Sequence, residues 1–156
     1  MFPNVFLTLR YDNSHIGAMK ADTAVNEGLI LGWGDDIFPR LSWWKRQKVS
    51  DAHVMVVGCG ALGNEVLKNL ALFGVGHLVL VDYDRVEHSN LTRSVLFTSE
   101  DARDGVLKVE AAKRSVRSIN PNVEVMALNA DIGTDVGLGM IRRMDAVVAC
   151  VDNRKA

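Results

Sequence analysis

The chain has 156 residues, 48% of them apolar and 24% charged, with a formal net charge of −1. A length near that of one domain and a nearly balanced charge give no sign of a nucleic-acid or membrane partner, and two cysteines cannot build a disulfide or metal framework. No apolar run nears the roughly 18 residues a membrane span needs, and the start MFPNVFLTLRYDN lacks the basic end and apolar stretch of a secretory signal, so a reducing cytoplasm is the expected compartment.

Residues 1–38 read as an N-terminal arm. Within it, residues 5–9 alternate well enough for a short strand, and residues 28–34 (GLILGWG) for another extended piece. A nucleotide-binding domain is expected over 39–156. It opens with a helix over 39–49, where Pro39 suits the first turn and Leu41, Trp44 and Lys48 share one face. This helix is expected to cap the bottom of a sheet.

Residues 54–84 organise the rest. An apolar run (54–57) meets Gly58-Cys59-Gly60-Ala61-Leu62-Gly63. A helical pattern through Val66, Leu67, Leu70 and Phe73 follows and stops at Gly74, and a second apolar run (78–81) ends at Asp82. Strand, glycine turn, helix, strand and acid make one βαβ nucleotide-binding unit. Gly58 permits the tight turn, Gly60 lets phosphate approach backbone N–H groups, and Gly63 lets the helix pack close to the sheet. The helix N-terminus offers unpaired donors and partial positive charge to a phosphate, and Asp82 can accept hydrogen bonds from ribose hydroxyls.

A polar loop (85–94) leaves the second strand, and residues 99–105 read as a further polar turn. Residues 106–119 form an amphipathic helix with Val109, Ala112, Val116 and Ile119 on its inner face, broken by Asn120-Pro121-Asn122. A third strand (123–128), a short helix (138–144) and a fourth strand (146–151) ending in Asp152-Asn153 complete the reading. Right-handed connections predict a Rossmann-like, doubly wound, mainly parallel α/β sheet ordered third, second, first, fourth. The glycine turn, Asp82, Asp84 and Asp152 would then share one rim. Cys59 and Cys150 read as small core residues.

Two groups on that rim favour ATP over a nicotinamide. Arg93, in the loop after strand two, and Lys108, in the first turn of the next helix, supply positive charge suited to a departing pyrophosphate. Asp152, at the end of strand four, is placed to hold Mg2+ against phosphate oxygens.

The blocks GCGALG, VDYDRVEHSNLTR, GVLK, SINP and CVDNR, in that order, resemble the ThiF/MoeB/HesA adenylyltransferases, which include the ubiquitin-activating enzymes. The resemblance covers the chain from about residue 53 to its end. It implies ATP and Mg2+ as cofactors and adenylation of the C-terminal carboxylate of a ubiquitin-like or sulfur-carrier protein ending in Gly-Gly, with loss of pyrophosphate. By position it implies that Gly58, Gly60, Ala61 and Gly63 form the nucleotide turn, that Asp82 holds the ribose, and that Asp84 lies near the metal or ribose. Asn90 and Arg93 would contact phosphates, Lys108 the β- and γ-phosphates, Asp152 the metal, and Asn153 the nucleotide. An arginine reaching across a homodimer is also implied, with Arg40 preferred over Arg46, although neither sits in a full Arg-Tyr-x-Arg-Gln pattern. Ser94 stands where many relatives have Gln. Relatives continue well past the Asp-Asn pair, so the chain is expected to be a truncated domain with strand four left as an apolar edge. Two other readings follow from the same turn: a non-catalytic module binding a nucleotide or partner, and an NAD-dependent oxidoreductase domain.

Overall fold

The computed structural model describes residues 6–9 and 45–151. The expectations for residues 1–5, 10–44 and 152–156 lie outside the described residues; they include the first residue of the strand expected at 5–9, the extended piece at 28–34, the start of the helix at Pro39, Arg40, Asp152 and Asn153.

Five strands form one sheet: β1 (Phe6–Leu9), β2 (His53–Val57), β3 (His77–Val81), β4 (Glu124–Leu128) and β5 (Ala146–Ala149), in the order β1-β5-β2-β3-β4. β2, β3, β4 and β5 are mutually parallel, and they are the first, second, third and fourth strands of the sequence reading in the predicted order. Their parallel pairing follows from the crossovers between them, because each of the strands β2 to β4 is followed by a helical segment that carries the chain back to the bottom. One expectation fails. β5 is not an edge, because β1 pairs with it antiparallel, Phe6 opposite Ala149 and Leu9 opposite Ala146. Its open backbone donors and acceptors are met within the same chain.

The helices are α1 (Arg46–Ser50), α2 (Ala61–Phe73), α3 (Ser99–Asp104), α4 (Lys108–Ile119) and α5 (Leu138–Ile141). α3 corrects the reading of 99–105 as a turn. Thr98 caps it by accepting from the Asp101 N–H, while the Asp101 carboxylate accepts from the Thr98 N–H at 2.8 Å, so a reciprocal capping box starts a helix. Gly105 closes it in the left-handed conformation, with φ 61°.

Alternation along the strands divides the core into two layers. Val54, Val56, Leu78 and Leu80 pack with Leu67 and Ala71 of α2 and Val109, Ala112 and Val116 of α4. Met55, Val57, Val79 and Val81 face the other way, toward Ile132, Val136, Met140, Ile141 and Met144. Phe73, which the helical pattern places inside, is 51% exposed at the end of α2. Among the described residues no helix is long and apolar enough to cross a membrane.

Candidate functional site

The carboxyl ends of β2, β3 and β5 open into a cleft of about 660 Å³, within the size range of small-molecule sites. Gly58, Gly60, Ala61, Asp82, Asp84, Asn90, Arg93 and Lys108 all line it. The glycine turn, the acid strand end and both cations therefore meet, although they come from four separated stretches. Gly63 lies beneath the turn and does not line the cleft.

At Gly58 and Gly63 the turn admits little but glycine. Gly58 has φ 90°, and a Cβ there would stand 2.8 Å from the Cys150 carbonyl oxygen. At Gly63 a Cβ would overlap the Gly58 carbonyl group, so α2 can approach the turn only because that atom is missing. α2 starts at the N-cap Gly60 with no side-chain cap, which leaves its first-turn N–H groups for a ligand or solvent. Asn64, fully buried, secures the other side. Its Nδ2 donates to the carbonyl oxygens of Cys59 (2.8 Å) and Gly60 (3.0 Å), and its Oδ1 accepts from the Leu96 N–H at 2.8 Å. Turn carbonyls are thus held inward by a residue that sequence reasoning missed. Its signal was a polar residue on the inner stripe of α2, three positions before Leu67.

The acidic segment after β3 ties the turn to the cations. Asp82 Oδ2 accepts from the Cys59 N–H at 2.6 Å, and Asp82 Oδ1 accepts from the Asp84 N–H at 2.8 Å. Asp84 Oδ2 in turn accepts from Lys108 Nζ at 2.8 Å, with the Lys108 side chain 12% exposed. The backbone repeats the connection, since Lys108 N donates to Asp84 O at 2.9 Å and Val86 N to Val106 O at 2.8 Å. Arg93 stands at the solvent side of the cleft, its Nη1 donating to the Ser89 carbonyl at 2.8 Å. Asn90 closes the short 3-10 turn of residues 88–90, its Oδ1 accepting from the Glu87 N–H at 2.9 Å.

Tyr83, Ala130, Asp131 and Ile132 also line the cleft and were not singled out from the sequence. The last three follow β4, and the rule that ligands gather at carboxyl strand ends would have included them. Among the described residues no group of three or more His, Cys, Asp or Glu could hold a metal ion. Both thiols are buried and free. Burial, with the nearby Asp82 carboxylate, pushes the Cys59 thiol far up, and burial raises Cys150 to about 11. Neither is a thiolate nucleophile at neutral pH.

The model of the ThiF family matches residues 36–156. The chain is 40% identical over 139 residues to the pig adenylyltransferase and sulfurtransferase MOCS3, covering 88% of this chain and 30% of that protein. It is 38% identical over 117 residues to the sulfur carrier protein adenylyltransferase of Thermus thermophilus, covering 75% of this chain and 42% of that one. The crystal structure of the E. coli tRNA N6-threonylcarbamoyladenosine dehydratase TcdA in complex with ATP superposes with a TM-score of 0.64 at 28% identity, covering 69% of this chain and 44% of that one. The chain thus spans less than half the length of each of these relatives.

Proposed function

Because the chain belongs to the ThiF family, we propose that it is the nucleotide-binding part of an ATP-dependent adenylyltransferase acting on the C-terminal carboxylate of a sulfur-carrier or ubiquitin-like protein ending in Gly-Gly. The observation that carries this reading is the convergence of Arg93 and Lys108 on the same cleft as the glycine turn and the uncapped N-terminus of α2. A pyrophosphate bridge alone needs only backbone donors and the helix end. Two further cations suit the added charge of a triphosphate. The two relatives compared by sequence are named adenylyltransferases, and a structural neighbour was solved with ATP.

In this reading the Gly60, Ala61 and Leu62 end of α2 receives phosphate, and Asp82 takes the ribose hydroxyls. Asn90, Arg93 and Lys108 contact the phosphate chain, and Asn153 the nucleotide. Asp152 would be the protein's ligand to Mg2+, with phosphate oxygens and water completing the shell. The fit is chemical: Mg2+ at nucleotide sites commonly takes one or two carboxylates and keeps its waters. When bound, it would neutralise phosphate charge.

The reaction joins a carboxylate oxygen of the carrier to the α-phosphorus and breaks the bond to the β-phosphate bridge. The electron pair leaves on pyrophosphate, and no proton moves. Lys108 and Arg93 hold the charge that develops there, which is where fixed cations contribute most. A homodimer, with Arg40 or Arg46 of one protomer reaching the other's nucleotide, belongs to the same proposal.

The test is carrier-dependent return of labelled pyrophosphate into ATP. The intact protein containing this domain should catalyse it, and Lys108→Ala should slow it by about 100-fold or more. Absence of exchange with every Gly-Gly-ending carrier tried, or full exchange in Lys108→Ala, would contradict the reading.

A further inference from the structure

Lys108 is a poor residue for its position unless something else holds it. It is the first residue of α4, whose N-cap Leu107 has no side-chain cap, and it sits at the positive end of the helix dipole. Its stem has four rotatable bonds, and its side chain is 12% exposed where it reaches the cleft. One carboxylate compensates for all of this. Asp84 Oδ2 accepts from Nζ at 2.8 Å, and Asp84 is itself fixed at three points. Its N–H donates to Asp82 at 2.8 Å, its carbonyl accepts from Lys108 N at 2.9 Å, and the next residue forms an antiparallel bridge to Leu107. Arg85 Nη1 then donates to the Gly105 carbonyl at 2.7 Å, which pins the segment leading into α4.

The geometry points to Asp84 as the positioning residue of Lys108, reaching the nucleotide through that lysine and not through the metal or ribose. This inference rests on the adenylyltransferase reading. A hydrogen-bonded line runs from the Cys59 N–H through Asp82, the Asp84 N–H and the Asp84 carboxylate to the Lys108 ammonium. The turn that receives phosphate and the cation that answers the leaving group are therefore set in one frame. The sign of the effect follows from the charges. Removing the Asp84 carboxylate deletes an anion beside the phosphates, so ground-state ATP binding holds or strengthens. The same change releases the ammonium from its fixed direction, and turnover falls.

The experiment is a double-mutant cycle in the intact protein containing this domain, using Asp84→Asn, Lys108→Ala and the combination. Steady-state pyrophosphate exchange and melting temperature are read for each. Asp84→Asn is isosteric and keeps the backbone bonds, so it tests charge and orientation without removing the segment. Its kcat should fall by ~10–100-fold, the scale of a misplaced catalytic group, with KM for ATP unchanged or lower. The double variant should match Lys108→Ala within about threefold, as residues acting as a unit do. A kcat for Asp84→Asn equal to the unsubstituted protein's, a raised KM, or a double variant at the product of the single effects would overturn the assignment. Failure of the parent reading shows separately, as no exchange in the unsubstituted protein. The Asp84–Lys108 coupling is then read from the melting temperatures of the same four proteins, where additive changes overturn it.

Discussion

The glycine turn separates stability from binding at two positions three residues apart. A Cβ built at Gly63 lies 2.9 Å from the Gly58 carbonyl carbon and overlaps its oxygen. Unstrained carbon atoms stay about 3.5–4.0 Å apart, so α2 would have to withdraw by ~0.6–1.1 Å for the carbon alone. Both sides of this contact are backbone, and no side chain can rotate away. Overpacking costs ~1–3 kcal/mol, occasionally more, and a backbone clash belongs at the upper end. At ~3 kcal/mol, and about 2–4 °C per kcal/mol for a chain of this size, Gly63→Ala should lower the melting temperature by ~6–12 °C. Gly60 is the control. A Cβ there meets nothing within 4 Å and the backbone has φ −71°, which alanine accepts. Gly60→Ala should therefore melt within about 0.5 kcal/mol of the unsubstituted protein. The added methyl occupies space where phosphate is to approach the turn, so ATP affinity should drop by about tenfold or more, ~1.4 kcal/mol. Thermal melts with and without ATP measure both. An unchanged melt for Gly63→Ala, or a destabilised Gly60→Ala that binds ATP normally, would refute the packing argument.

Asn64→Asp should be among the most damaging isosteric changes outside the cleft lining. It sets a carboxylate against the Cys59 and Gly60 carbonyls in a fully buried position, and a melting temperature near the unsubstituted value would contradict this. Asp101 predicts an acid-sensitive helix start. Burial alone would raise its carboxyl, but hydrogen bonds from Arg114 Nη2 at 2.7 and 2.6 Å and from the Thr98 N–H and hydroxyl hold it below the ordinary value. A depressed folded pKa gives stability that is complete above the unfolded value, about 3.9, and lost as pH falls through the folded one. Melts followed below about pH 4 should show that loss, and Asp101→Asn, weaker at neutral pH by ~1–3 kcal/mol, should show a shallower acid limb. An equally steep acid limb in the variant would place the titration elsewhere.

What could be read from the sequence is what is local. β2, α2 and β3 are contiguous, so their periodicity and glycines define the unit before any tertiary contact is known. The handedness of parallel crossovers then places the later strands, which is why Arg93 and Lys108 could be expected near the turn. The pairing of Phe6–Leu9 with Ala146–Ala149 could not be read, because it joins segments at opposite ends of the chain and nothing in either one names its partner. α3 was missed because its residues are polar and its start depends on a capping box between Thr98 and Asp101. Inside the site, the positions were legible and the bonding was not. Asp82 and Asp84 could be marked for ligand contacts by their place at a strand end, whereas the bonds of Asp82 to the turn backbone and of Asp84 to Lys108 depend on tertiary contacts. Asn64 sits visibly on the inner stripe of α2, but its three partners are set by the fold and nothing in the sequence names them.

If the cleft is shaped for a triphosphate, nucleotide selectivity measured by calorimetry will show it. ATP, AMP and NAD should be titrated into the unsubstituted protein and into Arg93→Ala and Lys108→Ala, with Mg2+ present throughout. ATP should bind tighter than AMP or NAD, and each substitution should narrow the gap between ATP and AMP by about tenfold, ~1.4 kcal/mol, while leaving AMP nearly untouched. NAD binding tighter than ATP, or a preference for ATP that survives both substitutions, would contradict it.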